Sequence, residues 1–239
     1  MILAAGLGTR LRPLTDRVPK ALIEVAGVPV LERVARRLIA TGADRLVINV
    51  HHLGDRIREF VEERGGFGVE VHISEEPEVA LETGGGVLHA YRSGALSAAG
   101  TFLLHNADIL TDLPLRTMYG RHLEQGPLAT LAVMERETSR YLLFDEVGLL
   151  GRVDEGKGVR LEVRSPSGTV ERLAFGGVHV VDARFPRLLT ESGAFSILDP
   201  YLRLAAAGER ILPFRADGCS WIDIGKPEQL EEAQALFGG

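Results

Sequence analysis

A chain of 239 residues, 45% of them hydrophobic and 25% charged, has the makeup of an ordinary globular protein with room for one large α/β domain or two small ones. A formal net charge of −6 argues against nucleic-acid binding as the main task, which usually shows as a basic face or a high pI. The single Cys219 excludes an internal disulfide, and no apolar run approaches the roughly eighteen residues that mark a membrane span.

Met1 to Ala5 reads as a short buried strand that breaks into a glycine-rich loop carrying Arg10, Arg12, Arg17 and Lys20, with only Asp16 to offset them. Gly6 and Gly8 let the backbone turn sharply and present N–H groups to an anion, so the loop is expected to bind phosphate. Two familiar phosphate motifs fail here. Gly8 is followed by Thr9-Arg10 where a P-loop needs Lys-Ser/Thr, and Leu11 stands where a dinucleotide fingerprint needs its third glycine. The arginines follow the apolar run instead of preceding it, unlike the layout of a signal peptide.

Pro29 opens an amphipathic helix, with Leu31, Val34, Ala35, Leu38 and Ile39 at helical spacing, and Thr41-Gly42 ends it. Arg45 to Val50 reads as a buried strand, Leu53 to Arg64 as a helix closed by Gly65-Gly66, and Val69 to Ile73 as the next strand. After a loop through Glu75-Glu76-Pro77, the stretch Leu81 to Val87 leads into a helix to about Tyr91. Thr101 to His105 reads as a strand, Leu115 to Glu124 as a helix and Leu128 to Met134 as a strand. This alternation predicts a parallel sheet wrapped on both faces. From Arg140 to Val181 the pattern changes to strands broken by glycines, which predicts an antiparallel addition acting as a lid for a second substrate. The tail returns to helix at Ile197 to Ala207, strand at Arg210 to Phe214 and helix at Pro227 to Leu236.

Two acids stand out within that order. Asp108 follows a predicted central strand, at the strand end where open α/β sheets bind their ligands, and Asp223 follows another apolar run, in Trp221-Ile222-Asp223-Ile224-Gly225. Singly each reads as a turn or cap residue. Together with the loop they read as a Mg²⁺ pair, because that ion is commonly bound by one or two carboxylates plus substrate phosphates and water. His51 and His52 are the only adjacent histidines, and on a strand they point to opposite faces, so they read as structural. The glycines of Leu81-Glu82-Thr83-Gly84-Gly85-Gly86 present N–H groups at a helix start, where a ligand can come close, and they also fit a hinge.

Gly6, Gly8, Thr9, Arg10, Pro13, Thr15, Pro19 and Lys20 fit the pattern Gly-x-Gly-Thr-Arg-x-x-Pro-x-Thr followed by Pro-Lys. On these residues the chain resembles the sugar-1-phosphate nucleotidylyltransferases. The wording Leu-Glu-Thr-Gly-Gly-Gly, Asn-x-Asp-x-x-Thr-Asp at 106–112 and Gly-Ala-Phe-x-x-x-x-Pro at 193–200 is most like the short, single-domain N-acetylmuramate-1-phosphate uridylyltransferases. Mannose- and heptose-1-phosphate guanylyltransferases are close competitors. The resemblance runs from Met1 to about Ala233. Related chains carry a few residues before the first strand, so that strand is expected to be short or the start truncated. No hexapeptide repeat follows of the kind that marks a fused acyltransferase domain.

The resemblance implies a Rossmann-like α/β fold, mostly parallel with helices on both faces (the nucleotide-diphospho-sugar transferase fold), plus a small antiparallel sugar-binding subdomain. It is read as one domain over 1–239, with 1–135 mainly binding nucleotide, 136–225 mainly binding sugar, and 226–239 a C-terminal helix. It implies catalytic roles for Arg10, Lys20, Asp108 and Asp223, with Asp108 and Asp223 holding Mg²⁺. Ala4, Ala5, Gly6, Gly8 and Thr9 are expected to line the nucleotide, Glu82, Thr83 and Gly84 the nucleobase and its sugar, and Gly177 the second sugar. Asn106 is expected either to hydrogen-bond a sugar hydroxyl or to stabilise its turn. Ala107 stands where relatives have glycine, and an alanine there is expected to shift Asp108 slightly or narrow the base pocket. The Glu-Lys-Pro whose lysine holds the sugar phosphate in many relatives is absent, leaving Lys157, Arg160, Arg164 or Lys226 as substitutes. The expected reaction is NTP plus sugar 1-phosphate giving NDP-sugar and diphosphate, in a cytoplasmic monomer or small homo-oligomer with small-molecule substrates and no nucleic-acid or membrane partner. A non-catalytic NDP-sugar-binding regulatory subunit is the alternative from another class. Such a chain would be expected to lose Arg10, Lys20 or one of the acids, all of which stand here.

Overall fold

The computed structural model describes residues 1–77, 79–97 and 100–237. Its elements run β1 (Ile2–Leu3), β2 (Glu24–Val25), β3 (Val28–Pro29), α1 (Val30–Thr41), β4 (Arg45–Val50), α2 (Gly54–Glu63), β5 (Glu70–Glu75), α3 (Glu82–Arg92), β6 (Phe102–Asn106), β7 (Ile109–Thr111) and α4 (Leu115–Gln125). They continue with β8 (Ala129–Met134), β9 (Arg140–Phe144), β10 (Leu149–Asp154), β11 (Val159–Glu162), β12 (Glu171–Val181), α5 (Leu198–Ala206), β13 (Ile211–Arg215), β14 (Trp221–Asp223) and α6 (Pro227–Phe237).

The central sheet runs β5-β4-β1-β6-β12-β8-β13. Its pairs are parallel except where β12 inserts antiparallel between β6 and β8. Ile2 sits between Ile48 and His105 in register. Although β1 spans two residues, the ladder continues past it, because the Ala4 N–H donates to Asn49 at 2.9 Å and the Ala107 N–H to Leu3 at 3.0 Å. The start of β12 also pairs β9, which leads through β10 to β11 as the expected antiparallel addition.

Alternation along the strands divides the core between the two faces of the sheet. On one face Leu46, Ile48 and Val50 of β4 pack with the apolar stripes of α1, α2 and α4, including Leu31, Leu38, Ile57 and Met118. On the other, Val47 and Leu104 pack with Val87 and Leu88 of α3 and Tyr201 and Leu204 of α5. Each fully buried aliphatic side chain contributes about 1.5–3 kcal/mol relative to exposure. Gly42 ends α1 in the left-handed conformation, φ 113°, with its N–H on the carbonyls of the last turn, as a helix C-cap requires. The C-terminal α6 returns to the first half, where Gln234 donates to the Glu24 carbonyl at 3.1 Å and accepts from the Ala26 N–H.

The predicted elements appear in the predicted order, with boundaries moved by one or two residues. The larger difference lies at the glycines 84–86, which belong to the first turns of α3. Among the described residues no helix is long and apolar enough to cross a membrane.

Candidate active site

The opening loop folds back on itself around Gly8, whose φ of +62° is one that side chains disfavour. A Cβ there would come within 2.7 Å of the Thr15 methyl and 3.2 Å of Lys20 Cβ. The buried Thr15 hydroxyl donates to the Gly8 carbonyl at 2.9 Å. Gly8, Thr15 and Lys20 therefore hold one another, and the loop delivers Lys20 to the C-terminal edge of the sheet.

At that edge the Lys20 ammonium donates to Asp108 Oδ2 and lies 3.7 Å from Asp223 Oδ1. Its side chain is only 10% exposed. Arg10 lies 3.9 Å from Asp223 Oδ2. The two acids meet because β7 and β14 pair antiparallel, with Asp223 opposite Ile109, and because the Ile224 N–H donates to the Asp108 carbonyl at 3.0 Å. Gly225 completes the contact, since a Cβ there would overlap the Arg10 guanidinium. All four residues expected to be catalytic thus converge. Ala107 is accommodated, buried within the ladder and outside the left-handed region.

A divalent cation fits this donor set. Asp223 Oδ1 is buried and has no hydrogen-bond partner, and two carboxylates facing a single ammonium supply the oxygen ligands that a hard cation takes. Among the described residues no group of three or more His, Cys, Asp and Glu gathers into a denser metal site.

Beside the acids opens a cavity of about 290 Å³, lined by Ala4, Ala5, Gly6, Lys20, Glu82, Thr83, Asn106 and Asp108 among others. Its floor includes Asn49 and Glu76, two buried polar residues that the motifs did not single out. Asn49 donates to Glu76 Oε1 at 2.8 Å, and Glu76 Oε2 accepts the Leu81 N–H at 2.7 Å. This pair ties the end of β4 to the entrance of α3. A lone asparagine inside the apolar run Arg45 to Val50 was the available signal.

Thr9 starts a short 3₁₀ turn through Leu11 on the exposed side of the loop. Two of the glycines of α3 hold the chain itself. The N–H groups of Gly84 and Gly85 donate to the Phe195 carbonyl at 2.9 and 3.3 Å, and a Cβ on Gly84 would overlap the Phe195 ring. Thr83 Oγ1 accepts the Ile197 N–H at 2.9 Å. The structure therefore places Gly84 against the segment 193–197, while Glu82 and Thr83 reach the cavity.

On the far side of the acids, β12 carries a register shift between Phe175 and His179. Gly177 sits there at φ +73°, and a Cβ would come within 2.9 Å of Asn106 Nδ2 and Ile109. The neighbouring Gly176 carbonyl accepts the Trp221 indole N–H at 2.9 Å. Of the four substitute cations, Arg164 is bonded to the buried Asp145 at 2.6 and 2.7 Å, an arrangement that holds that carboxyl well below the usual range. Arg160 is paired with Glu162 at 2.6 and 2.9 Å on the edge strand β11, Lys157 sits on the exposed turn before it, and Lys226 is exposed after Gly225.

Residues 1–146 match the family Nucleotidyl transferase, and the chain belongs to it: it is an enzyme of the nucleotidyltransferase class. It is 32% identical over 98% of its length to an N-acetylmuramate alpha-1-phosphate uridylyltransferase of Caulobacter vibrioides, covering 95% of that protein. It is also 32% identical to the enzyme of the same name from Neisseria meningitidis, covering 97% of it. A mannose-1-phosphate guanyltransferase of Gibberella zeae is 34% identical, with 63% of its length covered. Among solved structures, HddC from Yersinia pseudotuberculosis complexed with GMP-PN superposes with a TM-score of 0.75 at 22% identity, over 99% of this chain and 97% of that one. A UDP-glucose pyrophosphorylase from Acinetobacter baumanii gives 0.76 at 19%, over 99% and 92%. At those identities the likeness is one of fold.

Proposed function

We propose that the protein transfers a nucleotidyl group from a nucleoside triphosphate to a sugar 1-phosphate, releasing diphosphate, with UTP and N-acetylmuramate 1-phosphate as the first substrates to test. The observation that carries this reading is the convergence of Lys20 and Arg10 on Asp108 and Asp223 at the mouth of the cavity. The two uridylyltransferases matched over nearly their whole length support the substrate pair.

In this reading an oxygen of the sugar phosphate attacks the α-phosphorus, the new P–O bond forms as the bond to the β-phosphate oxygen breaks, and diphosphate leaves. The attacking phosphate is already ionised near neutral pH, so the step needs no general base and rests on positioning and charge neutralisation. Lys20 neutralises the α-phosphate and the incoming phosphate, and Arg10 holds the β- and γ-phosphates. Asp108 and Asp223 would hold Mg²⁺, which when bound supplies positive charge to the substrate phosphates.

The test is diphosphate release with Mg²⁺ across a matrix of UTP, GTP, CTP, dTTP and ATP against N-acetylmuramate, glucose, mannose, N-acetylglucosamine and heptose 1-phosphates. One productive pair, silenced by EDTA, supports the reaction and fixes the substrates; a guanylyl preference with mannose or heptose phosphate would move the assignment to that branch. Silence across the matrix would overturn the proposal.

A further inference from the structure

Arg136 follows β8 in the sequence Glu135-Arg136-Glu137, which reads as a solvated turn, yet it is half-buried. Its guanidinium carbon lies 4.3 Å from the centroid of the Trp221 ring, within the range of a cation–π contact. One Nη donates to the Glu137 carbonyl at 3.2 Å, while Nε is buried with no partner, and no carboxylate lies within ion-pairing distance among the described residues. Burial weakens its hold on the proton while the Asp223 carboxylate strengthens it, so the charge sits in the field of the catalytic acid.

The surroundings say what this cation faces. Trp221 and Asp223 are two apart on β14, so their side chains share one face. The indole N–H edge of Trp221 donates to the Gly176 carbonyl, and Gly176 adjoins Gly177, which packs on Asn106. Arg136 is thus linked through Trp221 to Asp223 on the same face of β14 and, through Gly176, to Gly177 packed on Asn106. A half-buried guanidinium left without a counter-ion is costly, and an incoming oxyanion would remove that cost.

The geometry points to Arg136 as a substrate-binding residue, the anchor for an oxyanion of the second substrate, its planar fork fixed in place by the Trp221 ring. The inference rests on the reaction proposed above. Two sources offer the same chemistry: the 1-phosphate itself, or a carboxylate borne on the sugar ring. A guanidinium binds either bidentately.

The experiment compares wild type with Arg136→Gln, Arg136→Lys and Lys226→Ala, on N-acetylmuramate 1-phosphate and on N-acetylglucosamine 1-phosphate, which lacks the carboxylate. In R136Q the KM is expected to rise about tenfold to a hundredfold, with kcat changed far less and partial recovery in R136K. A rise for both sugars assigns Arg136 to the phosphate, and a rise for the acidic sugar alone assigns it to the carboxylate. Trp221 is the sole tryptophan, so its fluorescence gives a readout independent of turnover: adding the sugar phosphate should change it in wild type and not in R136Q. Unchanged KM and an unchanged fluorescence response in both Arg136 variants, or a KM rise in K226A alone, would overturn the assignment. A wild type silent across the whole matrix would instead count against the reaction, which keeps the two failures apart.

Discussion

Lys20 donates a hydrogen bond to Asp108 across 88 residues of chain, and the same ammonium faces Asp223 at 3.7 Å. The free enzyme therefore neutralises its own acids. Under the proposed reaction, a phosphate arriving there competes with the carboxylates for Lys20.

Lys20→Ala is expected to lower kcat by about 10² to 10³, the usual effect of removing one preorganised charge partner from a transition state. Lys20→Arg should recover little, because the buried slot between the acids is shaped for a compact ammonium. Diphosphate release under saturating substrate measures both, and a K20A enzyme with near-normal turnover would sink the assignment.

Glu82 lines the cavity from a left-handed backbone, φ +58°, a conformation that costs an ordinary residue roughly 1–2 kcal/mol. Glu82→Gly is expected to leave the urea midpoint unchanged or raise stability by about 1 kcal/mol. It should also weaken nucleotide binding, read as a higher KM for the triphosphate. A destabilised variant with unaltered KM would contradict a binding role.

Arg164→Ala removes the partner of Asp145, whose side chain is fully buried. Because Asp145 still accepts from the Val147, Gly148 and Ser167 N–H groups, losing the charge-assisted pair is expected to cost about 1.5–3 kcal/mol, measured by urea denaturation, with KM for both substrates unchanged in the protein that remains folded. A selective rise in KM for the sugar phosphate would show that Arg164 belongs to the site after all.

His105 and His179 are fully buried, and burial pushes their rings down to about 4 and about 3. Both stay neutral in the folded protein. Their contribution to stability is thus complete above the ordinary histidine value of about 6.5 and is lost as the pH falls from there toward about 4 for His105 and about 3 for His179. The urea midpoint should decline across that window. His179→Gln, whose amide can pair with the Tyr201 hydroxyl as His179 Nδ1 does, should make the decline shallower; an identical pH profile would remove His179 from the account.

Much of the layout was legible because it depends on local signals. Apolar spacing and Gly42 mark α1, and the apolar run Arg45 to Val50 marks β4 to the residue. The fixed spacing from Gly6 to Lys20 also marks the loop, but spacing cannot say why a glycine is needed. Gly84 and Gly85 read as room for a ligand, and the structure adds a packing demand, room for Phe195 and Gly193 more than a hundred residues downstream. Arg136 was passed over for a similar reason. Between two glutamates it looks solvated, and only the pairing of β14 with β7 brings Trp221 to its side. Long-range contacts of this kind leave no periodic trace.

β12 is eleven residues long and belongs to both sheets, pairing β9 at its start and β6 and β8 farther along. The break in its ladder, the register shift at Gly177 between Phe175 and His179, is therefore where the two parts of the strand can change direction. The loop from Ala5 to Pro19, with Leu7 and Leu14 exposed on it, lies outside the ladders altogether. Filling the bulge by Gly177→Ala should therefore strain the junction where Asn106 and Ile109 pack, and show as a lower urea midpoint.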